Sequence, residues 1–191
     1  RSVAPFRVTR PRASVDSLGA QANDHSRAPS ISGDGRYVAF VSRATNQVAS
    51  DTNGVWDAFV HDRSTGLIER VSVDSSGNQA DGDALLPSIA ASGRCVTFTS
   101  AATNLVAADT NGVPDVFVHD RLDGTTVRVS VDSAGAEAFL GAQKSFLSAD
   151  GRWVAFESFS DDLVAGASHL ATDVFVYDRV PRTVARASLE S

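Results

Sequence analysis

Ser32-Gly-Asp-Gly-Arg-Tyr-Val-Ala-Phe40 is the stretch that decides the fold, because it occurs three times. It returns as Ala90-Ala-Ser-Gly-Arg-Cys-Val-Thr-Phe98 and as Ser148-Ala-Asp-Gly-Arg-Trp-Val-Ala-Phe156, each copy 58 residues after the one before it. A second stretch, Asp57-Ala-Phe-Val-His-Asp-Arg63, recurs at the same interval. A repeat without insertions indicates duplication, and it predicts one supersecondary unit per copy, stacked on its neighbours.

Each repeat contains short runs rich in Val, Phe and Thr between clusters of Gly, Asp, Asn and Ser, and it shows no helical period. Such runs are typical of strands joined by turns. Glycines within the joints predict tight hairpins, because the turns need positive φ; these are Gly35, Gly66, Gly93, Gly124 and Gly151. In the second repeat we predict four strands, with equivalents one period away: Leu86–Ala90, Arg94–Ser100, Asp115–Asp120 and Thr126–Asp132.

Strands such as residues 38–41 and 58–60 are apolar at every position, so both of their faces must be covered. A four-stranded antiparallel unit that buries both faces against copies of itself is a propeller blade. The sequence therefore predicts an all-β fold: a β-propeller of three 58-residue, four-stranded antiparallel blades plus an extra N-terminal outer strand near Ala13–Asp16.

The predicted organisation is a single half-ring domain over residues 1–191. A lead-in outer strand and linker take residues 1–29, and the blades take residues 30–87, 88–145 and 146–191. Propellers typically have four to eight blades, and an open half-ring would expose large apolar faces. We therefore expect either a homodimer that closes a six-bladed ring or a chain that is part of a longer propeller.

The pattern Ser-x-Asp-Gly-Arg-x-Val-Ala-Phe, followed by Asp-Val-Phe-Val-x-Asp-Arg, resembles the TolB-like β-propeller repeat, a relative of the WD40 repeat. This resemblance covers nearly the whole chain. It implies a propeller fold and a secreted or periplasmic bacterial protein. It does not imply one function, because that family hosts many roles. The long Asp-Thr-Asn-Gly loop departs from the family's usual shorter repeat.

Composition limits the partners. The net charge is -6 and the predicted pI about 5.1, so neither nucleic acid nor an anionic membrane is expected. No apolar run reaches the 18 or more residues of a membrane span. The chain begins at Arg1 and contains no methionine, which predicts a processed, trimmed or engineered chain; a secreted precursor that has lost its leader fits. The single cysteine, Cys95, excludes an internal disulfide and is expected on a strand, facing a neighbour.

The loop before the third strand of a repeat is the sharpest candidate site. Asp-Thr-Asn-Gly-Val-x-Asp occurs at residues 51–57 and 109–115. Its oxygen spacing is similar to that of calcium loops, in which a glycine allows a sharp turn and a backbone carbonyl adds a ligand. The predicted calcium ligands are Asp51, Asn53, Val55 and Asp57 in the first repeat, and Asp109, Asn111, Val113 and Asp115 in the second.

A structural role is the alternative for these loops. Asn-Gly favours a turn, and short polar side chains bond their own backbone. The third repeat has Ala167 and His169 in place of the first aspartate and the asparagine but keeps Asp173. This pattern favours a structural role for Asp57, Asp115 and Asp173, in which they accept backbone N–H bonds at the start of a strand.

Rows present in all three repeats are best explained by the fold. They include the Asp-Arg pairs that start at Asp62, Asp120 and Asp178, which are expected to tie one blade to the next, and the arginines Arg36, Arg94 and Arg152. His61 and His119 become Tyr177, which indicates a half-exposed strand position and not a general base. The chain contains no Gly-x-Ser-x-Gly, His-Glu-x-x-His or phosphate-loop motif.

These observations favour a non-catalytic binding or scaffold module that presents loops and inter-blade grooves to a protein or glycan partner. The alternative is an enzyme, or the accessory propeller of a hydrolase, with a site at the channel mouth. Such a site would use residues that differ between repeats, namely Trp56, Trp153, Glu157 and His169. A purely structural repeat array is the third possibility.

Overall fold

The computed structural model describes residues 12–165 and 171–188, and these residues form twelve strands. Since they contain no helix, they offer no long apolar helix of the kind that crosses a membrane. The strands are β1 (Ser26–Ile31), β2 (Tyr37–Ser42), β3 (Asp57–Asp62), β4 (Ile68–Arg70), β5 (Ala84–Ile89), β6 (Cys95–Ser100), β7 (Asp115–Asp120), β8 (Thr125–Arg128), β9 (Ala142–Leu147), β10 (Trp153–Ser158), β11 (Asp173–Asp178) and β12 (Thr183–Arg186).

The strands form three antiparallel sheets, each with four strands in chain order. The first strands of the sheets lie side by side, because β5 contacts both β1 and β9. This is the arrangement of three propeller blades, and it confirms the predicted fold. The sheets do not close into a ring. Blades 1, 2 and 3 comprise residues 26–70, 84–128 and 142–186, so each starts four residues before the expected boundary.

The hairpin between the first two strands of each blade is built as the glycine pattern predicted. Gly35, Gly93 and Gly151 have φ values of 71°, 76° and 73°. Glycine adopts this left-handed conformation without the steric cost that a Cβ brings. The second hairpin also has its glycine in this region, with φ of 77° at Gly66 and 66° at Gly124.

The predicted fourth strand is too long. β8 ends at Arg128, and beyond it Val131 makes only an isolated bridge to Glu137. The chain leaves the sheet because the Ser130 hydroxyl bonds the buried carboxylate of Asp115 and so holds the backbone away from the strand path.

The extra N-terminal strand predicted near Ala13–Asp16 is not present. Val15 makes a single bridge to Gln21. The Asp16 carboxylate accepts hydrogen bonds from the backbone N–H groups of Leu18 and Ala20, which closes a tight turn in place of a strand. This segment covers blade 1, where the Ser17 hydroxyl accepts a hydrogen bond from Ile68 N.

The first strand of every blade contains a bulge. Ala28, Leu86 and Lys144 each have φ of 52°, and the pairing with the second strand shifts register at the bulge. The left-handed conformation is unfavourable for a residue with a Cβ, so the surrounding ladder imposes it. Three different side chains share one backbone geometry here.

The core lies between blades. One cluster joins Val41 and Ala58 of blade 1 to Phe98 and Leu105 of blade 2. The equivalent cluster between blades 2 and 3 contains Val116 and Phe156. The strands β6 and β7 of blade 2 are buried along their whole length, because a blade packs on each of their faces. This confirms that both faces of the central strands are covered.

Candidate functional site

The Asp-Thr-Asn-Gly loop of blade 1 surrounds an arginine side chain. Arg70, at the end of β4, places its Nη1 3.6 Å from Asp51 Oδ1 and 3.6 Å from Asp57 Oδ2. The same Nη1 donates to Gln79 Oε1 at 2.8 Å. The second oxygen of Asp57 accepts a hydrogen bond from the Ser72 hydroxyl at 2.6 Å. The two predicted metal-binding carboxylates therefore share a guanidinium.

Blade 2 repeats this arrangement with one additional carboxylate. Arg128 Nη1 lies 2.6 Å from Glu137 Oε2, 3.2 Å from Asp115 Oδ2 and 3.5 Å from Asp109 Oδ1. Ligand oxygens of these three acids lie close enough together to hold one metal ion. Glu137 takes the place of Gln79, so the second loop has three carboxylates around its arginine where the first has two.

The two asparagines fasten the loop to the segment that leaves the blade. Asn53 Nδ2 donates to Ala80 O at 3.0 Å, and Asn111 Nδ2 donates to Ala138 O at 2.9 Å. Their Oδ1 atoms accept from the backbone N–H groups of Val55 and Val113 in Asx turns. These amide oxygens, which were predicted as metal ligands, are thus engaged by the backbone.

Burial controls the ionisation of the loop carboxylates. It raises the pKa of Asp51, Asp57 and Asp109 above their usual range. It also raises the pKa of Asp115 to about 6, against the opposing effects of the Ser130 hydroxyl and the Arg128 charge. Removal from water disfavours the charged form of a carboxylate, so burial is the leading cause of each of these shifts.

In the third repeat the same arginine remains while part of the loop differs. Arg186 Nη1 lies 3.5 Å from Asp173 Oδ2, and the Ser188 hydroxyl donates to Asp173 Oδ1. Ala167 and His169 lie outside the described residues. Asp57, Asp115 and Asp173 each accept a hydrogen bond from a serine hydroxyl, and that hydroxyl oxygen in turn accepts one from the backbone N–H at the start of the strand. The link from aspartate to backbone therefore runs through a serine, which corrects the direct bond that the sequence predicted.

A calcium ion in either loop would compete with the arginine for the same oxygens. Arg70 and Arg128 place a cation where the predicted ion would lie, and their side chains are buried. The calcium prediction stays a prediction. The arginines themselves were missed, although Arg70, Arg128 and Arg186 recur at the 58-residue interval and could have been found by it.

The Asp-Arg pairs make contacts within a blade and, as expected, between blades: Arg179 Nη2 of blade 3 lies 3.9 Å from Asp120 Oδ2 of blade 2. Each aspartate bonds an arginine of its own blade: Arg36 Nη2 lies 2.7 Å from Asp62 Oδ2, and Arg152 Nη2 lies 2.6 Å from Asp178 Oδ2. The arginine that follows the aspartate reaches the preceding blade instead. Arg121, for example, pairs with Glu69 and lies over the Tyr37 ring, with its Cζ 4.5 Å from the ring centroid.

A cleft of about 560 Å³ opens between blades 2 and 3. Two of the positions through which blades 1 and 2 contact each other carry smaller residues at this junction. Cys95 stands where Tyr37 stands in blade 1, and Val127 stands where Glu69 stands. Arg179, the equivalent of Arg121, has no ring beneath it and bonds Cys95 Sγ at 3.1 Å. This contact confirms that Cys95 faces a neighbouring blade.

The walls of the cleft are polar and carry both charges. Arg182, in the position of Gly124, adds a side chain that the second repeat lacks, and Tyr177 replaces His119. Asp132 holds its loop by accepting from the backbone N–H groups of Ala134 and Ala136. The charged residues that line the cleft are Asp120, Asp123, Arg128, Asp132, Arg179 and Arg182.

The residues suggested for a catalytic centre make local contacts. Arg27 lies over the Trp56 ring and Arg152 over the Trp153 ring. Glu157 forms an ion pair with Lys144, with Oε2 and Nζ 2.9 Å apart. His169 lies outside the described residues. His61 and His119 are more buried than the sequence indicated, and burial lowers the pKa of both.

Several solved structures share this fold. TolB from Acinetobacter baumannii matches with a TM-score of 0.54 and 19% identity, over 92% of this chain and 34% of that chain. The chain has a TolB-like β-propeller fold. The β-propeller domain of the Trilobed protease from Pyrococcus furiosus also matches the TolB-like propeller, with a TM-score of 0.52 and 14% identity, over 85% of this chain and 41% of that one. Tricorn protease matches with a TM-score of 0.52 and 15% identity, over 83% of this chain and 12% of that chain.

The TolB-like propeller described here spans about a third of the length of TolB and less than half of the Trilobed protease domain. No protein-family model and no curated protein matches the chain. At these identities the similarity establishes the fold alone, so function has to be argued from the chain's own surfaces.

Proposed function

We propose that the chain is a non-catalytic, secreted or periplasmic binding module that holds a protein or glycan partner in the cleft between blades 2 and 3. The observation that supports this proposal is the cleft itself. It is lined by Val127 where the first repeat has Glu69, and by Arg182 where the second repeat has Gly124. Changes concentrated on one surface of an otherwise repeated molecule favour a specific function at that surface.

The chemistry of the cleft suits a polar ligand. Arg179 and Arg182 offer guanidinium groups, whose planar donors match carboxylate and hydroxyl oxygens. Asp123 and Asp132 are acceptors on the opposite wall. A sugar chain or a polar peptide segment presents both donors and acceptors and can engage both sets.

The test compares binding by the parent chain and by Arg182→Gly, which installs the second repeat's residue in a backbone that already has a positive φ of 59°. A glycan array and a panel of acidic and neutral peptides serve as probes. We expect binding that falls about tenfold or more in the variant, because a charge-assisted hydrogen bond contributes roughly 1.5–3 kcal/mol. Arg43→Ala, which removes one charge from blade 1, is the control. Absence of binding to both panels, or equal binding by Arg182→Gly, would contradict the proposal.

A second candidate, the accessory propeller of a hydrolase, is favoured by the similarity to propeller domains of proteases. In that case the chain would guide substrates for a catalytic domain. Peptidase and glycosidase substrates incubated with the purified chain distinguish an enzyme from both propeller roles, since only an enzyme turns them over. Ligand binding without turnover would be consistent with both a binding module and an accessory domain, because both proposed roles use the same cleft.

A further inference from the structure

The contact between blades 1 and 2 contains an ion pair between a carboxylate and a guanidinium. Arg121, which follows β7, donates from Nε to the Oε1 atom of Glu69 in β4. Its Nη1 donates to the carbonyl of Gly93 in its own blade, which holds the guanidinium in place. The Glu69 side chain is 47% exposed, so the pair lies at the surface. This pair shows how an arginine at this position binds a carboxylate of the preceding blade.

The junction between blades 2 and 3 has the arginine but not the carboxylate. Arg179 is the equivalent of Arg121, and its Nη1 makes the equivalent bond, to Gly151 O at 2.6 Å. Val127 takes the place of the glutamate and is 41% exposed. Among the residues that the structure describes, Arg179 Nε has no acceptor, and the carboxylate of Asp120 lies 3.9 Å from Nη2. The guanidinium is therefore held in position with one donor unused.

The other charged groups of the cleft already have partners. Arg94 donates to Asp120 Oδ1 at 2.8 Å and to Asp123 Oδ2 at 2.7 Å. Asp132 Oδ1 accepts from two backbone N–H groups of its own loop. Arg128 is engaged by the three carboxylates of the second acidic loop. The acids of the cleft are thus balanced by groups other than Arg179.

Arg182 adds a second cation to the cleft. The first two repeats have Gly66 and Gly124 at this position of the hairpin, so the cation is specific to blade 3. Burial raises the pKa of Tyr177, and the charges of Arg182 and Arg179 oppose that effect, so both guanidiniums lie near one phenol. Within the described part of the chain, Arg182 forms no ion pair. A carboxylate in the cleft can therefore accept charge-assisted hydrogen bonds from two arginines.

The remaining wall of the cleft suits the aliphatic part of a glutamate. Val127, Val106 and Ala107 line it with apolar groups. The cleft volume of about 560 Å³ is that of a site for a ligand larger than one side chain, since ligand pockets measure about 300–1,000 Å³. The chain's own example, Glu69, is a carboxylate on a short aliphatic stem carried by a polypeptide. This chemistry favours a peptide over a sugar acid, whose carboxylate is surrounded by hydroxyl groups.

We propose that the cleft between blades 2 and 3 binds an acidic peptide segment and holds a glutamate carboxylate on Arg179 and Arg182. The bound carboxylate takes the position on Arg179 that Glu69 takes on Arg121, and the glutamate stem packs on Val127. This inference rests on the proposed function, because it uses the same cleft. It narrows the partner to a protein that presents an exposed glutamate.

The first test compares two peptides that differ in a single charge. The probes are Ser-Ser-Glu-Ser-Ser and Ser-Ser-Gln-Ser-Ser, both acetylated and amidated, titrated into the chain by calorimetry at neutral pH. We expect the glutamate peptide to bind about tenfold more tightly or better, because its hydrogen bonds are charge-assisted. Equal binding, or no binding by either peptide, would overturn the inference. Tighter binding by a trimer of galacturonic acid would also overturn it and assign the site to a glycan.

These outcomes are distinguishable from failure of the proposed function. A neutral glycan or peptide that binds the parent chain and is lost in Arg182→Gly would keep the cleft as a binding site while the glutamate assignment fails. No binding by any probe of either panel would contradict both.

The second test supplies the missing carboxylate from the chain itself. Val127→Glu gives this junction the residue of the first repeat, and the introduced carboxylate should pair with Arg179. We expect it to weaken binding of the glutamate peptide about tenfold or more, because it occupies the same donor. Val127→Gln is the matched control, since it has the same length without the charge, and it should cause a clearly smaller loss. Circular dichroism and melting establish that both variants are folded. Equal weakening by the two variants, or none by Val127→Glu, would overturn the inference.

Discussion

At the scale of single residues, the arginine at the end of the outer strand explains most of what the acidic loops do. Arg70 and Arg128 each neutralise buried carboxylates that would otherwise be costly in an apolar setting. The sequence placed Asp51, Asp57, Asp109 and Asp115 together correctly, but spacing along the chain did not reveal the cation. That contact forms only when the strand that follows the loop pairs with the last strand of the blade, which carries the arginine.

Removal of the Arg128 charge should be costly. Arg128→Leu leaves Asp109, Asp115 and Glu137 facing one another, and we expect a loss of about 3–5 kcal/mol in the free energy of unfolding, as is usual when one partner of a buried ion pair is deleted. Chemical denaturation monitored by circular dichroism measures it. Arg94→Leu is the control, because the Arg94 side chain is 44% exposed and solvent screens its ion pairs, so a clearly smaller loss is expected. Equal losses would contradict the buried-cation interpretation.

The calcium prediction can be separated from this interpretation. If the guanidiniums serve as the cations of the loops, added calcium or a chelator should leave the melting temperature unchanged, because no empty cation position has to be filled. Calorimetric titration at neutral pH should show no heat. A calcium-dependent rise in melting temperature that Asp109→Asn abolishes would instead support calcium ligation.

The buried Asp115 carboxyl should make stability depend on pH. Its pKa is raised from 3.8 to about 6, so between these values the folded chain keeps a proton that the unfolded chain releases. Stability contributed by this group is therefore present below about pH 4 and falls as pH rises toward 6, by roughly 3 kcal/mol. Asp115→Asn removes this contribution. The difference in unfolding free energy between parent and variant should change across that window and stay constant above it; a flat difference would refute the assignment.

At the scale of elements, the strands and hairpins followed from the sequence because the repeat supplied three independent copies of each signal. The second and third strands of a blade were predicted to within one residue. The fourth strand was predicted too long, since Val129 and Val131 continue the apolar alternation while Ser130 turns the chain toward Asp115. The bulge at Ala28, Leu86 and Lys144 had no sequence signal, because none of these residues favours a left-handed backbone.

The first hairpins differ in how tightly a neighbour covers them, and this gives a matched prediction. A Cβ at Gly93 would overlap the Tyr37 ring of blade 1, whereas a Cβ at Gly151 would make ordinary contacts of 3.4–3.6 Å with Ala90 and Cys95. Both substitutions to alanine carry the strain of positive φ, about 1 kcal/mol. Gly93→Ala should lose roughly 1–3 kcal/mol more, as overpacked cores do. Thermal melting of the two variants measures this, and equal losses would contradict it.

At the scale of the whole molecule, the three copies provide the fold and the differences between them provide the candidate functions. Repeat counting predicted the all-β propeller correctly. The cleft between blades 2 and 3 could not be predicted, because Val127, Tyr177 and Arg182, which line it, come together only when one blade packs on the next.

The single thiol of the chain has a practical consequence. Cys95 is sealed between blades 2 and 3 by Arg179, and burial raises its pKa. A thiol reagent can reach the sulfur only when the two blades separate, so the rate of modification measures how often they separate. We expect slow labelling of the parent chain and faster labelling of Arg179→Ala at the same pH. An unchanged labelling rate would mean that the Arg179 guanidinium does not shield the sulfur from the reagent. The labelling rate of Cys95 therefore reports on the transient separation of blades 2 and 3, next to the proposed binding cleft.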